Sequence, residues 1–173
     1  MEDLRTIAEH VLDIGQNSVN AGSKNISIEF IENYHELFFS VTDDGCGMDE
    51  EMLSKIFDPF FTTKKKKFGL GLPLLKEYAE LTGGYVIVDS KKEIGTSVKV
   101  KFIKNIDCQP TGNVADVFAT LVISDPVVMW YIHRCKEERC YEFSSREIID
   151  LDLTSSKIIK VIFEHFKKLE ETL

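Results

Sequence analysis

Two pairs of alternating segments, "ISIEFIE" with "ELFFSVT" and "YVIVDS" with "TSVKVKF", most constrain what this chain can fold into. Their apolar and polar residues alternate at the period of a half-buried strand, and short connections, "NYH" and "KKEIG", make each pair a hairpin. A helix-period segment precedes each pair. Leu4, Ile7, Val11, Ile14 and Val19 recur at close to helical spacing, and the glycine of "NAGSKN" supplies a stop. "GLGLPLLKEYAELTGG" predicts a helix over 70–81, with Pro73 in its first turn and Gly83-Gly84 as its end. "DEEMLSKIF" (49–57) has an acidic first turn and reads as a short helix. Two helix–hairpin units predict an α+β layer structure, with helices on one face of a largely antiparallel sheet.

The polar stretch "KNIDCQPTGN" (104–113) is read as a boundary. Residues 1–104 are expected as one domain, 105–112 as a linker and 113–173 as a small C-terminal α/β appendage. In the appendage "VADVFATLV" reads as a helix, and "VVMWYIHR" and "CYEFSS" as strands around the charged turn "CKEER". Trp130, Tyr131, Tyr141 and Phe143 are expected in the core. The last helix, "SSKIIKVIFEHFKKLEETL", has Ser155 or Ser156 as its N-cap. Its stripe of Ile159, Ile162, Phe166, Leu169 and Leu173 is expected to pack on its own domain, with a partner as the alternative.

The chain has 173 residues, 43% of them hydrophobic, enough for one well-filled core or one core with an appendage. A net charge of −8 argues against nucleic acid as the main partner. No apolar run approaches the ~20 residues that span a bilayer. "MEDLRTIAEHV" lacks the basic start of a signal peptide, so a cytoplasmic protein is expected, with Cys46, Cys108, Cys135 and Cys140 as free thiols. His133, Cys135 and Cys140, with Cys108 as a fourth ligand, could bind zinc or iron. The Cys-x4-Cys spacing without a second matching pair favours a hairpin cysteine pair without metal.

Four short motifs could carry chemistry. His10, Asp13, Asn17 and Asn20 share one helical face. Asp13 and Asn17, one turn apart in "DIGQN", present oxygens that suit a hard cation such as Mg²⁺; otherwise the face is simply solvated. "DDGCGM" places Asp43 at a strand end before Gly45 and Gly47. It is either an ordinary Asp-Gly turn or a site where a carboxylate meets an exocyclic amine beside a closely approached backbone. "KFGLGLP" sets Gly69 and Gly71 at a helix start behind four lysines, a place for an anion. Gly95-Thr96 opens the last strand of the first domain, as a hairpin turn or as a hydroxyl aimed into a pocket.

In order and spacing these motifs over residues 4–102 resemble the Bergerat-fold (GHKL) ATPase domain of sensor histidine kinases, anti-sigma serine kinases, DNA gyrase and MutL. "DIGQNSVNAG" resembles the N box, "VTDDGCGM" the first glycine box, "IFDPFFTTK" the phenylalanine box of histidine kinases, "GLGL" the second glycine box, and "GTSVKV" the last Gly-Thr element. The resemblance implies a Bergerat-type two-layer sandwich with a mixed, mostly antiparallel sheet, and ATP held between helices and a lid. It implies that Asn17 ligates Mg²⁺, that Asp13 acts as a base or metal-side polar residue, and that Asp43 accepts the adenine amino group. Gly45 and Gly47 would line the adenine, and Thr96 would complete its pocket. Lys64 would approach the phosphates, and Gly69, Leu70, Gly71 and Leu72 would bring backbone N–H groups to them. Asn20 stands where the family often has lysine, histidine or aspartate. Asp13 is one carbon shorter than the glutamate of hydrolysing members. The lid, 64–68, is too short for a gyrase-like clamp.

The resemblance therefore implies a Mg-ATP-binding histidine-kinase-like ATPase or protein kinase in signalling, phosphorylating a protein partner in trans or hydrolysing ATP slowly. The alternative is a non-catalytic, ATP-gated regulatory module of the anti-sigma kind. No nucleic acid or membrane is expected as partner, and a homodimer is a candidate assembly. His10 is expected to line the site or face solvent rather than accept phosphate.

Overall fold

The computed structural model describes residues 5–61 and 71–173. Helix α1 (Ile7–Asn20) is followed by strands β1 (Asn25–Glu32) and β2 (Glu36–Asp43), the short helix α2 (Glu50–Leu53), helix α3 (Gly71–Leu81), and strands β3 (Tyr85–Lys91) and β4 (Gly95–Ile103). Then come α4 (Val114–Ser124), β5 (Met129–Lys136), β6 (Arg139–Ser144), a 3₁₀ turn (Ser145–Ile148) and α5 (Ser156–Glu171). Both helix–hairpin units form where the alternation places them. The helix expected over 49–57 is shorter, closing after Leu53 behind an N-cap from Asp49 to the Met52 N–H.

The six strands form one sheet in the order β3-β4-β2-β1-β5-β6. All neighbours are antiparallel except β1 and β5, which run parallel. The sheet is therefore mixed, mostly antiparallel and of α+β type, as expected. Ile26, Ile28 and Phe30 of β1, Leu37, Phe39 and Val41 of β2, and Val98, Val100 and Phe102 of β4 are buried on alternate positions. One sheet face is thus covered, with α1, α3, α4 and α5 packed side by side over it.

The boundary expected at 105–112 does not separate two cores. Residues 113–173 extend the same sheet through the β1–β5 pairing, and Phe118, Trp130, Phe143 and Phe166 belong to the same buried cluster as Ile7 and Phe30. Helices α1 and α4 approach closely: a Cβ built on Gly15 would lie 2.7 Å from Leu121 Cδ2. The connection is fastened to α1. Its Pro110 and Thr111 carbonyls accept from the Ile7 and Ala8 N–H groups at 3.0 and 2.9 Å, donors that a helix start leaves unpaired. A capping box between Thr6 and Glu9 completes that end. The α5 stripe packs inward, with Ile162 and Phe166 buried. Trp130, Tyr141 and Phe143 are core residues, whereas Tyr131 is half-buried.

The cysteine expectation is corrected in part. Cys135 and Cys140 are directly opposed across the β5–β6 hairpin, their Cα atoms 4.1 Å apart, and form a disulfide. Sequence spacing did not fix that register, because the tight turn that sets it depends on Glu137 at φ 53°. Cys46 and Cys108 are free thiols.

A long-range ion network closes the other end of β1. Buried Arg134 bridges Glu32 and Glu170, Lys104 Nζ reaches Glu32 Oε2 at 3.0 Å, and Tyr141 donates to Glu170 at 2.8 Å. Burial raises the Glu32 carboxyl, but hydrogen bonds from Arg134 and Lys104 outweigh it and hold it below the ordinary carboxylate range.

Candidate functional site

Where the C-terminal end of β2 meets the end of α1, a cavity of about 330 Å³ opens. Ile14, Met48, Met52, Ile56, Val88 and Val98 make its walls apolar, and Asn17, Asn20, Asp43 and Thr96 are among the polar residues lining it. This is the composition of a small-molecule site: a greasy slot with a few fixed polar groups.

Asp43 is the most constrained of these groups. Ser18 Oγ donates to its Oδ2 at 2.6 Å, and the Gly45 and Thr96 N–H groups donate to Oδ1 at 2.9 and 3.3 Å. Its neighbour Asp44 turns the other way, accepting from the Lys24 and Asn25 N–H groups at 2.8 and 2.9 Å to anchor the start of β1. Only the first aspartate of "DDG" therefore serves the pocket.

The glycines are required by close backbone approach. Gly47 has φ 61°, and a Cβ there would lie 2.0 Å from the Lys91 carbonyl oxygen. Gly95 has φ 138°, and a Cβ would lie 1.9 Å from the Asp43 carbonyl oxygen. The "DDGCGM" turn and the β3–β4 turn thus interlock to form one wall, tied by Met48 N–H to Ser90 Oγ at 2.8 Å and Glu93 N–H to the Cys46 carbonyl at 2.7 Å. Thr96 Oγ1 lies 2.8 Å from Ser90 Oγ.

Of the residues expected at the site, Asn17, Asn20, Asp43, Gly47, Leu72 and Thr96 line the cavity together. Gly45 acts from behind, through its N–H to Asp43. Asp13 is near the start of α3, 3.5 Å from where a Gly71 Cβ would sit, and is not among the lining residues. Its Oδ2 lies 2.6 Å from Arg5 Nη1, a pairing the sequence did not reveal. Lys64, Gly69 and Leu70, with the expected lid, lie outside the described residues.

His10 departs from expectation. It is only 1% exposed, packs against Tyr78 of α3 rather than lining the cavity, and holds Nε2 3.0 Å from Gln109 Oε1. Burial lowers its pKa, against the hydrogen bond to Gln109. Sequence reasoning also missed Ser18 and Ser90, the hydroxyls that hold Asp43 and the Met48 turn. Ser18 adjoins Asn17 in the motif, the one local signal that could have drawn it in.

A mixed sheet covered on one face by helices, with an aspartate-based apolar slot at the sheet end, defines a nucleotide-binding domain of the Bergerat type. The chain belongs to the family of histidine kinase-, DNA gyrase B-, and HSP90-like ATPases, whose model matches residues 2–106. It therefore carries an ATP-binding, histidine-kinase-like domain. Sporulation kinase A of Bacillus subtilis (strain 168) is 33% identical over 104 residues, 59% of this chain and 17% of that protein. Sensor kinase CckA of Brucella abortus (strain 2308) is 44% identical over 64 residues, 36% of this chain and 7% of that protein. The chain thus matches only a small part of these relatives' length. The N-terminal domain of a DNA repair protein superposes with a TM-score of 0.56 at 12% identity, over 79% of this chain and 51% of that one, a likeness of fold alone. No helix among the described residues is long and apolar enough to cross a membrane.

Proposed function

We propose that the chain binds Mg-ATP in the Asp43 cavity and passes the γ-phosphoryl group to a protein partner, or slowly to water. The observation that carries this reading is the threefold fixation of Asp43 by Ser18, Gly45 and Thr96 in the lining of a largely apolar cavity. A carboxylate so held is a fixed acceptor for the amino group of adenine, and the apolar walls suit the ring. Asn17 and Asn20, which also line the cavity, are the polar groups proposed to face phosphates and a cation. Asn17 is the residue proposed to hold Mg²⁺ through its amide oxygen; when bound, the ion would neutralise phosphate charge. Leu72, in the first turn of α3, places that helix start beside the cavity, so its unpaired N–H groups would favour phosphate oxygens. Lys64 and the Gly69–Leu70 stretch are proposed to add charge and N–H donors toward the phosphates.

Asp13 is the proposed base. The kinds of relative matched, a sporulation kinase and a sensor kinase, support a place in signalling. The Arg5–Asp13 ion pair favours a second reading. A carboxylate oxygen already occupied by a guanidinium is not free to meet an attacking hydroxyl or water. In that reading ATP gates partner affinity without turnover.

The test is to incubate the chain with γ-labelled ATP and Mg²⁺, recover partners with and without nucleotide, and map phosphosites on what is recovered. Label on a recovered partner supports transfer. Nucleotide-dependent recovery with no label supports the gating module.

A further inference from the structure

The β5–β6 hairpin carries a second cluster of reactive side chains that the nucleotide site does not use. It sits at the far end of β1 from the cavity: Cys135 pairs with Ile31, whereas Asp43 pairs with Ile26. A ring nitrogen of His133, Cys135 Sγ and Cys140 Sγ all lie within 4.8 Å of one another. The antiparallel register puts the two cysteines directly opposite, and His133, two residues before Cys135, projects from the same face. His133 Nε2 is 3.2 Å from Cys135 Sγ, while its Nδ1 is 3.3 Å from Glu142 Oε1 on the facing strand.

That arrangement is more than a cross-link. A disulfide between residues already paired across a tight hairpin restrains little additional chain freedom. A histidine with one ring nitrogen on a carboxylate and the other aimed at sulfur has the layout of a metal ligand and its supporting group. With Glu142 accepting from Nδ1–H, the Nε2 lone pair is free to face the two sulfurs.

We propose that His133, Cys135 and Cys140 form a thiol-dependent Zn²⁺ site that opens when the Cys135–Cys140 disulfide is reduced. A dithiol reductant breaks the S–S bond and leaves as its own disulfide, supplying two electrons and two protons, so both cysteines become thiols. Binding one Zn²⁺ then releases both thiol protons and forms two Zn–S bonds and one Zn–N bond. The hairpin backbone already holds the ligands close. Tetrahedral zinc needs Zn–S distances of about 2.3 Å and Zn–N of about 2.0 Å, which places ligand atoms roughly 3.5 to 3.8 Å apart. Side-chain rotation of the two cysteines reaches that separation. Three protein ligands leave a fourth position for water or an exogenous ligand. Cys108, considered as a fourth ligand from the sequence, is not in the cluster, and its thiol faces the Gln109 carbonyl at 3.4 Å. This site does not depend on the nucleotide reading.

The test uses the full chain, reduced with a dithiol, desalted without oxygen and titrated with Co²⁺ as the probe. The expected result is one Co²⁺ per reduced chain with a thiolate-to-cobalt charge-transfer band that Zn²⁺ abolishes, and no band for the oxidised chain. Cys135→Ser and Cys140→Ser should each lose the band. Glu142→Gln should weaken Co²⁺ binding about tenfold, the usual effect of removing a carboxylate behind a ligating histidine. The Cys46→Ser/Cys108→Ser double variant should keep the band, and circular dichroism checks that every variant is folded. A reduced chain with no band, a band that survives Cys140→Ser, or one lost with Cys46 and Cys108 overturns the proposal.

Discussion

Ser18 Oγ donates to Asp43 Oδ2 at 2.6 Å, joining the end of α1 to the end of β2. That bond turns a surface carboxylate into a fixed acceptor. A hydrogen bond to a charged group contributes about 1.5–3 kcal/mol. Ser18→Ala should therefore weaken ATP binding about tenfold to a hundredfold by that magnitude, with the fold retained. Calorimetric titration of the variant with Mg-ATP checks it, and an unchanged affinity would show that Ser18 has no part in holding the nucleotide.

Asp13 and Arg5 separate turnover from binding. If Asp13 is the base, Asp13→Asn should lower phosphate transfer by roughly a hundredfold or more, the scale of general base catalysis, and leave ATP affinity nearly unchanged. Arg5→Ala removes the 2.6 Å pairing and should raise turnover. Labelled-phosphate assays on both variants check this. Equal turnover in Asp13→Asn and the unaltered chain would contradict a role as base.

His10 predicts a pH dependence of stability. Its pKa is lowered by burial, so near pH 6.5 and below the unfolded chain takes up a proton that the folded chain does not. Stability should fall as pH drops below about 6.5, by at most ~1.4 kcal/mol per pH unit, and level off once the folded imidazole is itself protonated. Urea midpoints between about pH 8 and pH 5.5 check it: the His10→Gln chain should lose that part of the slope.

Arg134 predicts the largest stability loss outside the apolar core. It is 1% exposed and is shared by Glu32 and Glu170. Truncating it leaves buried Glu32 with Lys104 as its remaining cation and half-buried Glu170 with only the Tyr141 hydroxyl, so Arg134→Ala should cost about 3 kcal/mol, the low end for breaking a buried pair. Denaturant unfolding measures this, and a loss below about 1 kcal/mol would show that water replaces the guanidinium without penalty.

The hairpins, most of the helices and several residues that line the cavity were legible in the sequence, because strand alternation, helical spacing and glycine turns are local signals. Asp43, Gly47, Asn17 and Thr96 stood out for the same reason. What stayed hidden depends on distant partners. Ser18 meets Asp43 across 25 residues, and His10 meets Gln109 across 99. The β1–β5 pairing needs a crossover through the rest of the sheet, so no local pattern distinguishes an extension of one sheet from a separate domain. The disulfide depended on hairpin register, which the four-residue spacing between Cys135 and Cys140 leaves open.

Everything proposed for the nucleotide site rests on a fixed Asp43 carboxylate receiving adenine in this cavity. The most direct test is titration of the chain and of Asp43→Asn with ATP and with GTP, each with Mg²⁺. Saturable ATP binding by the unaltered chain is expected, with far weaker GTP binding. Asp43→Asn should lose ATP affinity by about a hundredfold, since an amide there loses the charge-assisted acceptor. Equal affinity for ATP in the two proteins, or no nucleotide binding by either, would contradict that role for Asp43.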